Sequence, residues 1–124
     1  MNVIKQAILD AAIGEIETPG QGEVMRHFRF THDFIGFSGH FPEAPILPAF
    51  VQIMTAHALY EKLDRNVLEL AAVENAKFLI PLGPRQIMEV LCKSDWNVER
   101  PGCHARITIA QGVAAKFKLV FKEI

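Results

Sequence analysis

With 124 residues, half of them hydrophobic and a formal net charge of −1, the chain is sized for one domain with a real core. It lacks the basic excess of a nucleic-acid binder, and no apolar run is long enough to span a bilayer as a helix, so neither nucleic acid nor membrane is an expected partner. Cys92 and Cys103 lack metal-ligand spacing, and Met1-Asn2-Val3-Ile4-Lys5-Gln6 lacks the layout of a signal peptide, so a cytoplasmic protein with reduced, buried thiols is expected.

Val3, Ile4, Ala7, Ile8 and Ala11 recur at helical spacing and predict a short amphipathic helix over 2–12. Residues 12–17 read as a strand, and Pro19-Gly20-Gln21-Gly22 as a turn. A second strand over 23–30 alternates Val24, Arg26, Phe28 and Phe30 against Met25, His27 and Arg29. Thr31 to Pro48 is a loop with Phe34, Ile35 and Phe37 as apolar anchors. The helix expected from Ala49 to Leu63 is apolar nearly all round until Tyr60, broken only by Gln52, Thr55 and His57, which predicts burial on most sides. Strands follow over 67–80, 86–95, 104–111 and 113–122, separated by turns at 81–85, Pro101-Gly102 and Gln111-Gly112. One buried helix followed by four consecutive strands predicts an α+β fold, an antiparallel sheet wrapped around one long central helix. Without linker or internal repeat, residues 1–124 form a single expected domain. Its apolar excess points to a homodimer or a higher homo-oligomer.

The stretch with most chemical content is Gly39-His40-Phe41-Pro42-Glu43-Ala44-Pro45-Ile46-Leu47-Pro48-Ala49. Three prolines nearly fix the backbone around His40. Pro48 suits the first helical position, where its missing N–H has no partner to lose. Ala49 onward then offers free N–H groups at a positive dipole end. A neutral base beside polarised backbone donors is what proton removal next to a carbonyl requires.

This string resembles the active-site segment of the β-hydroxyacyl-acyl-carrier-protein dehydratases of the hot-dog fold. Their pattern runs roughly Gly-His-Phe-Pro-x-x-Pro-x-x-Pro-Gly before an apolar helix. Residues 74–87 are similar to the family's strand ending in Phe-x-x-Pro-x-x-Pro-Gly-Asp, and 110–121 to its final hairpin, so the resemblance covers about residues 23–122. It implies a hot-dog domain acting on 3-hydroxyacyl thioesters carried by acyl carrier protein or coenzyme A, with no cofactor. His40 matches the base, and Ala49 the glycine whose N–H polarises the thioester carbonyl. Met54, fourteen residues after His40, stands where the family has the Asp or Glu that protonates the departing hydroxyl. Ala58 stands where the family often has Gln.

A thioether cannot donate a proton, and loss of a positioned acid typically costs roughly 10²–10⁴-fold in rate. His57, three residues beyond Met54 on a nearby helix face, is the candidate substitute; its plainer reading is a hydrogen-bonded histidine at a subunit interface. Phe41, Pro48, Phe50, Met54 and Phe78 are candidates to line an acyl-chain tunnel, with core packing as the alternative for each. Scattered His27, His32, Asp33 and His40 lack a tight ligand pattern, so no metal site is expected. Three functions stay open: a dehydratase, a hot-dog thioesterase, and an acyl-binding subunit whose active partner supplies the missing carboxylate.

Overall fold

A computed structural model describes residues 3–37, 45–95 and 100–122. Helix α1 (Val3–Asp10) leads into β1 (Ala12–Glu17) and β2 (Glu23–Arg29), followed by a short 3₁₀ turn at Ile35–Phe37. Helix α2 (Ala49–Asp64) precedes β3 (Leu70–Phe78), β4 (Ile87–Asp95), β5 (Gly102–Ile109) and β6 (Gly112–Phe121). The strands form one antiparallel sheet in the order β1-β2-β4-β5-β6-β3. Strand β3 therefore lies at the far edge from β1 and pairs with the last strand of the chain.

Period-two alternation decides which face of the sheet meets α2. Val24, Phe28, Met88, Val90, Ile107 and Leu119 are buried toward the helix. Arg26 falls on the same side of β2, and its Nε donates to the Gly14 carbonyl at 3.0 Å. Small residues on α2, Thr55 and Ala56, are buried and let the helix sit close to the sheet. The Cys92 thiol donates to the Ala56 carbonyl at 3.4 Å, joining β4 to α2. Cys92 and Cys103 are free and buried, and the hydrogen bond to Cys103 followed by burial pushes the Cys92 thiol well up.

Four sequence expectations change in detail. Pro48 is the N-cap of α2, not its first helical residue: at φ −61° and ψ 152° it is extended, and its carbonyl accepts from Val51 and Gln52. Strand β3 starts at Leu70, leaving Val67 84% exposed in the preceding loop. Gly102 belongs to β5 and not to a turn, because it faces Asp95 and Val120 in register. A Cβ there would stand 2.2 Å from the Leu119 carbonyl oxygen, so only glycine fits this close approach. Finally, α2 is buried against the sheet but not all round: Phe50 is 52% exposed, while Ile53, Met54 and His57 are half-buried along an open flank.

Candidate functional site

The segment before α2 is held at both backbone polar groups of one residue, Leu47. Leu47 N–H donates to the Leu82 carbonyl at 2.7 Å. Its carbonyl accepts from Gln52 Nε2 at 3.1 Å, a buried bond one turn into the helix. Gln52 is buried, and its Oε1 has no partner among the described residues. Leu82 lies in the segment after β3, so two of the three motif-bearing stretches meet at this point.

The clamp fixes the first turn of α2. Pro48 carries no side-chain cap, and the first helical hydrogen bonds start from the N–H groups of Val51 and Gln52. The Ala49 N–H therefore has no partner among the described residues, at the positive end of a helix of 16 residues. Ala49 is exposed and is not among the residues with positive φ, so alanine sits at this position without backbone strain. His40 and Phe41 lie outside the described residues.

Farther along the open flank, Met54, His57, Ala58, Glu61, Val67, Leu68 and Lys5 line one depression of about 200 Å³. The structure thus brings Met54 and His57 together, whereas Phe50 and Phe78 do not line this depression. Phe50 is exposed on the helix, and Phe78 stacks on Phe117 at 6.0 Å between ring centroids. Pro48 is half-buried at the helix start.

His57 is tied down. Its Nε2 lies 2.7 Å from the Leu68 carbonyl and 3.6 Å from Glu61 Oε2, with the Phe121 ring centroid 5.2 Å away. A carbonyl oxygen only accepts, so Nε2 carries the proton of the neutral ring. The second proton of a cationic ring then sits on Nδ1.

Glu61 was not singled out by sequence reasoning, although its place four residues after His57 was a legible signal. Its Oε1 accepts from Lys5 Nζ at 2.9 Å and its Oε2 from the Leu68 N–H at 2.7 Å. Burial pushes the Glu61 carboxyl up, but the Lys5 and Leu68 hydrogen bonds and the nearby His57 outweigh it and hold the group below its ordinary value. The site therefore has an N–H donor at the start of α2 and, farther along that helix, a histidine and a carboxylate beside a thioether, with the Lys5 ammonium reaching in from α1.

A family model described as ApeI-like, for the ApeI dehydratase, matches residues 16–118. The chain is 33% identical over 81 residues to the 3-hydroxyacyl-[acyl-carrier-protein] dehydratase FabZ of Rhizobium etli, covering 57% of this chain and 52% of that protein. It is 37% identical over 65 residues to FabZ of Pasteurella multocida, covering 44% and 42%. The chain spans about half the length of the curated relatives it matches. Among solved structures, it resembles the dehydratase heterocomplex ApeI:P from Xenorhabdus doucetiae with a TM-score of 0.79 and 25% identity, over 90% of this chain and 96% of that one. The E. coli PaaI protein of the phenylacetic acid degradation operon shares the fold with a TM-score of 0.67 at 15% identity, over 96% and 89% of the two chains. The sheet and central helix are thus those of the hot-dog fold, as the motif implied.

Proposed function

The chain belongs to the ApeI-like dehydratase family, and we propose on that premise that it is a (3R)-hydroxyacyl-thioester dehydratase. Its substrate is a 3-hydroxyacyl group on acyl carrier protein or coenzyme A. His40 takes a proton from the carbon next to the thioester carbonyl, while the Ala49 N–H holds the developing oxyanion. The C–O bond at the β-carbon then breaks, the double bond forms, and hydroxide leaves as water with a proton from a donor. Met54 cannot be that donor. The titratable group nearest to it in kind and position is His57, whose cationic ring supplies a proton from Nδ1. Family membership supports this reading, and the observation that carries it is the available Ala49 N–H, fixed by the Leu47 clamp directly behind the His40 motif.

A specific observation favours a second reading. A thioether stands in the acid's position, and a similar solved dehydratase is a complex of two different chains. In that reading this chain contributes His40 and the acyl pocket, and a different hot-dog subunit supplies the carboxylate. The exposed Phe50 flank and the edge strand β3, with Phe78 and Leu79 exposed, are the surfaces that association would cover in a homodimer or a mixed one. An assay of the purified chain with short and medium 3-hydroxyacyl thioesters separates the functions. Enoyl product without free thiol supports the dehydratase, and free thiol without enoyl product supports a thioesterase. Neither product supports the partnered subunit. We place the protein in the cytoplasm, where acyl-chain metabolism supplies such substrates.

A further inference from the structure

The outer face of the sheet, turned away from α2, carries a charge pattern that the proposed chemistry does not use. In strand register Leu91 faces Arg106, Arg106 faces Lys116, and Lys116 faces Lys77. Three cations therefore stand side by side on β5, β6 and β3. Neighbouring strands lie about 4.8 Å apart, so the row extends roughly 10 Å. Like charges directly opposite each other destabilise a sheet.

The adjacent row is built differently. Glu23 faces Lys93, Lys93 faces His104, His104 faces Lys118, and Lys118 faces Glu74, so acids close both ends. Lys118 also meets Asp95 at 2.8 Å. Lys77, Arg106 and Lys116 of the first row, and Lys93 of the second, are exposed and form no ion pair within 4 Å among the described residues, although Glu23 stands opposite Lys93 in register. All four line one depression of about 550 Å³, with Leu91 as a half-buried apolar shoulder beside Arg106. A chain whose net charge is −1 thus gathers four unpaired cations on one patch.

We infer that this depression binds an organic polyphosphate of nucleotide size. Arg106 offers a planar fork that takes a phosphate with two hydrogen bonds, and Lys116 and Lys77 continue the positive row along a diphosphate. The volume lies in the range of small-molecule sites and exceeds what phosphate groups alone would fill. Leu91 gives the organic body an apolar contact. Two sources carry this chemistry: a free nucleoside diphosphate and the phosphorylated nucleotide end of coenzyme A. The site stands on the face opposite α2, so it does not depend on the function proposed for the other side.

The test uses the full chain at low ionic strength, titrated calorimetrically with ADP, coenzyme A, inorganic pyrophosphate and a glutamate-rich peptide. ADP or coenzyme A should bind saturably and more tightly than pyrophosphate or the peptide. Tighter coenzyme A assigns the site to the nucleotide end of that molecule, and equal or tighter ADP to a free nucleotide. The double variant Arg106→Gln/Lys116→Gln should weaken that binding by about tenfold or more. A charge-matched control, Arg29→Gln/Lys62→Gln, should leave it unchanged. Because the row is repulsive when empty, Lys116→Gln should also raise the ligand-free thermal midpoint. No saturable nucleotide binding overturns the proposal, even if that rise is seen. So does binding that pyrophosphate or the peptide matches, or a loss that the control variant shares.

Discussion

Replacing Met54 by glutamate puts a carboxyl at the position that, on our proposal, corresponds to the acid of the dehydratase family. The side chains are similar in length, and Met54 is half-buried on a flank that already holds Glu61, His57 and Lys5. Burial and the Glu61 charge push the new carboxyl up, toward the protonated form that donates, while Lys5 opposes them. Burying a polar group with incomplete hydrogen bonds costs about 1–3 kcal/mol. For a chain of this size that lowers the thermal midpoint by roughly 3–15 °C, which leaves a folded protein to assay. A positioned acid contributes roughly 10²–10⁴-fold, so Met54→Glu should raise the rate of enoyl formation by a factor in that range. The gain should fall away as pH rises through the new carboxyl's pKa. Appearance of enoyl product by absorbance, beside circular dichroism for folding, makes the measurement. A folded Met54→Glu protein with no gain, beside an active wild type, refutes the claim that a missing acid at position 54 limits the rate, and shows that another residue supplies the proton. His57→Ala would then identify the donor already present.

Glu61→Gln removes the charge that Lys5 and His57 share, and should cost about 1–3 kcal/mol in chemical denaturation at neutral pH. Because the folded-state carboxyl is held below its ordinary 4.5, its stabilisation is complete above that value and lost as pH falls through the folded pKa; the variant should show a shallower acid limb, and an unchanged limb would refute the network. Gly102→Ala should destabilise by at least about 1–3 kcal/mol, since its methyl would press on the Leu119 carbonyl; a neutral effect would show that β5 and β6 separate easily. Sedimentation at micromolar concentration should show a dimer or larger species, and a stable monomer would remove the proposed association.

Much of the fold was legible because its signals are local. Alternation marked β2, near-continuous apolar character marked α2, and turn residues bounded the hairpins. The helix start at Ala49 was legible, but the position of Pro48 was not, because proline fits both the N-cap and the first helical position, and only the hydrogen bonds to its carbonyl decide. Gly102 read as a turn residue since Pro-Gly usually is one; its real reason is a carbonyl on β6, seventeen residues later. Strand order was not legible. Nothing local tells β3 to pair with β6 at the sheet edge, because that choice is made by long-range burial.

The candidate site divides the same way. The His40 motif and Ala49 are readable as a contiguous string, and the proposed match of Met54 to the family's acid comes from counting along it. The Lys5–Glu61–Leu68 network was not readable, because α1 and the loop after α2 meet only in the folded chain. The cation row was hidden for a related reason: Lys77, Arg106 and Lys116 become neighbours only through strand register.

The most direct test of the dehydratase assignment compares wild type and His40→Ala with one 3-hydroxyacyl thioester, following enoyl product and free thiol together. The account predicts enoyl formation by wild type without thiol release, and loss of nearly all turnover in a variant that stays folded. Undiminished enoyl formation by folded His40→Ala would contradict it.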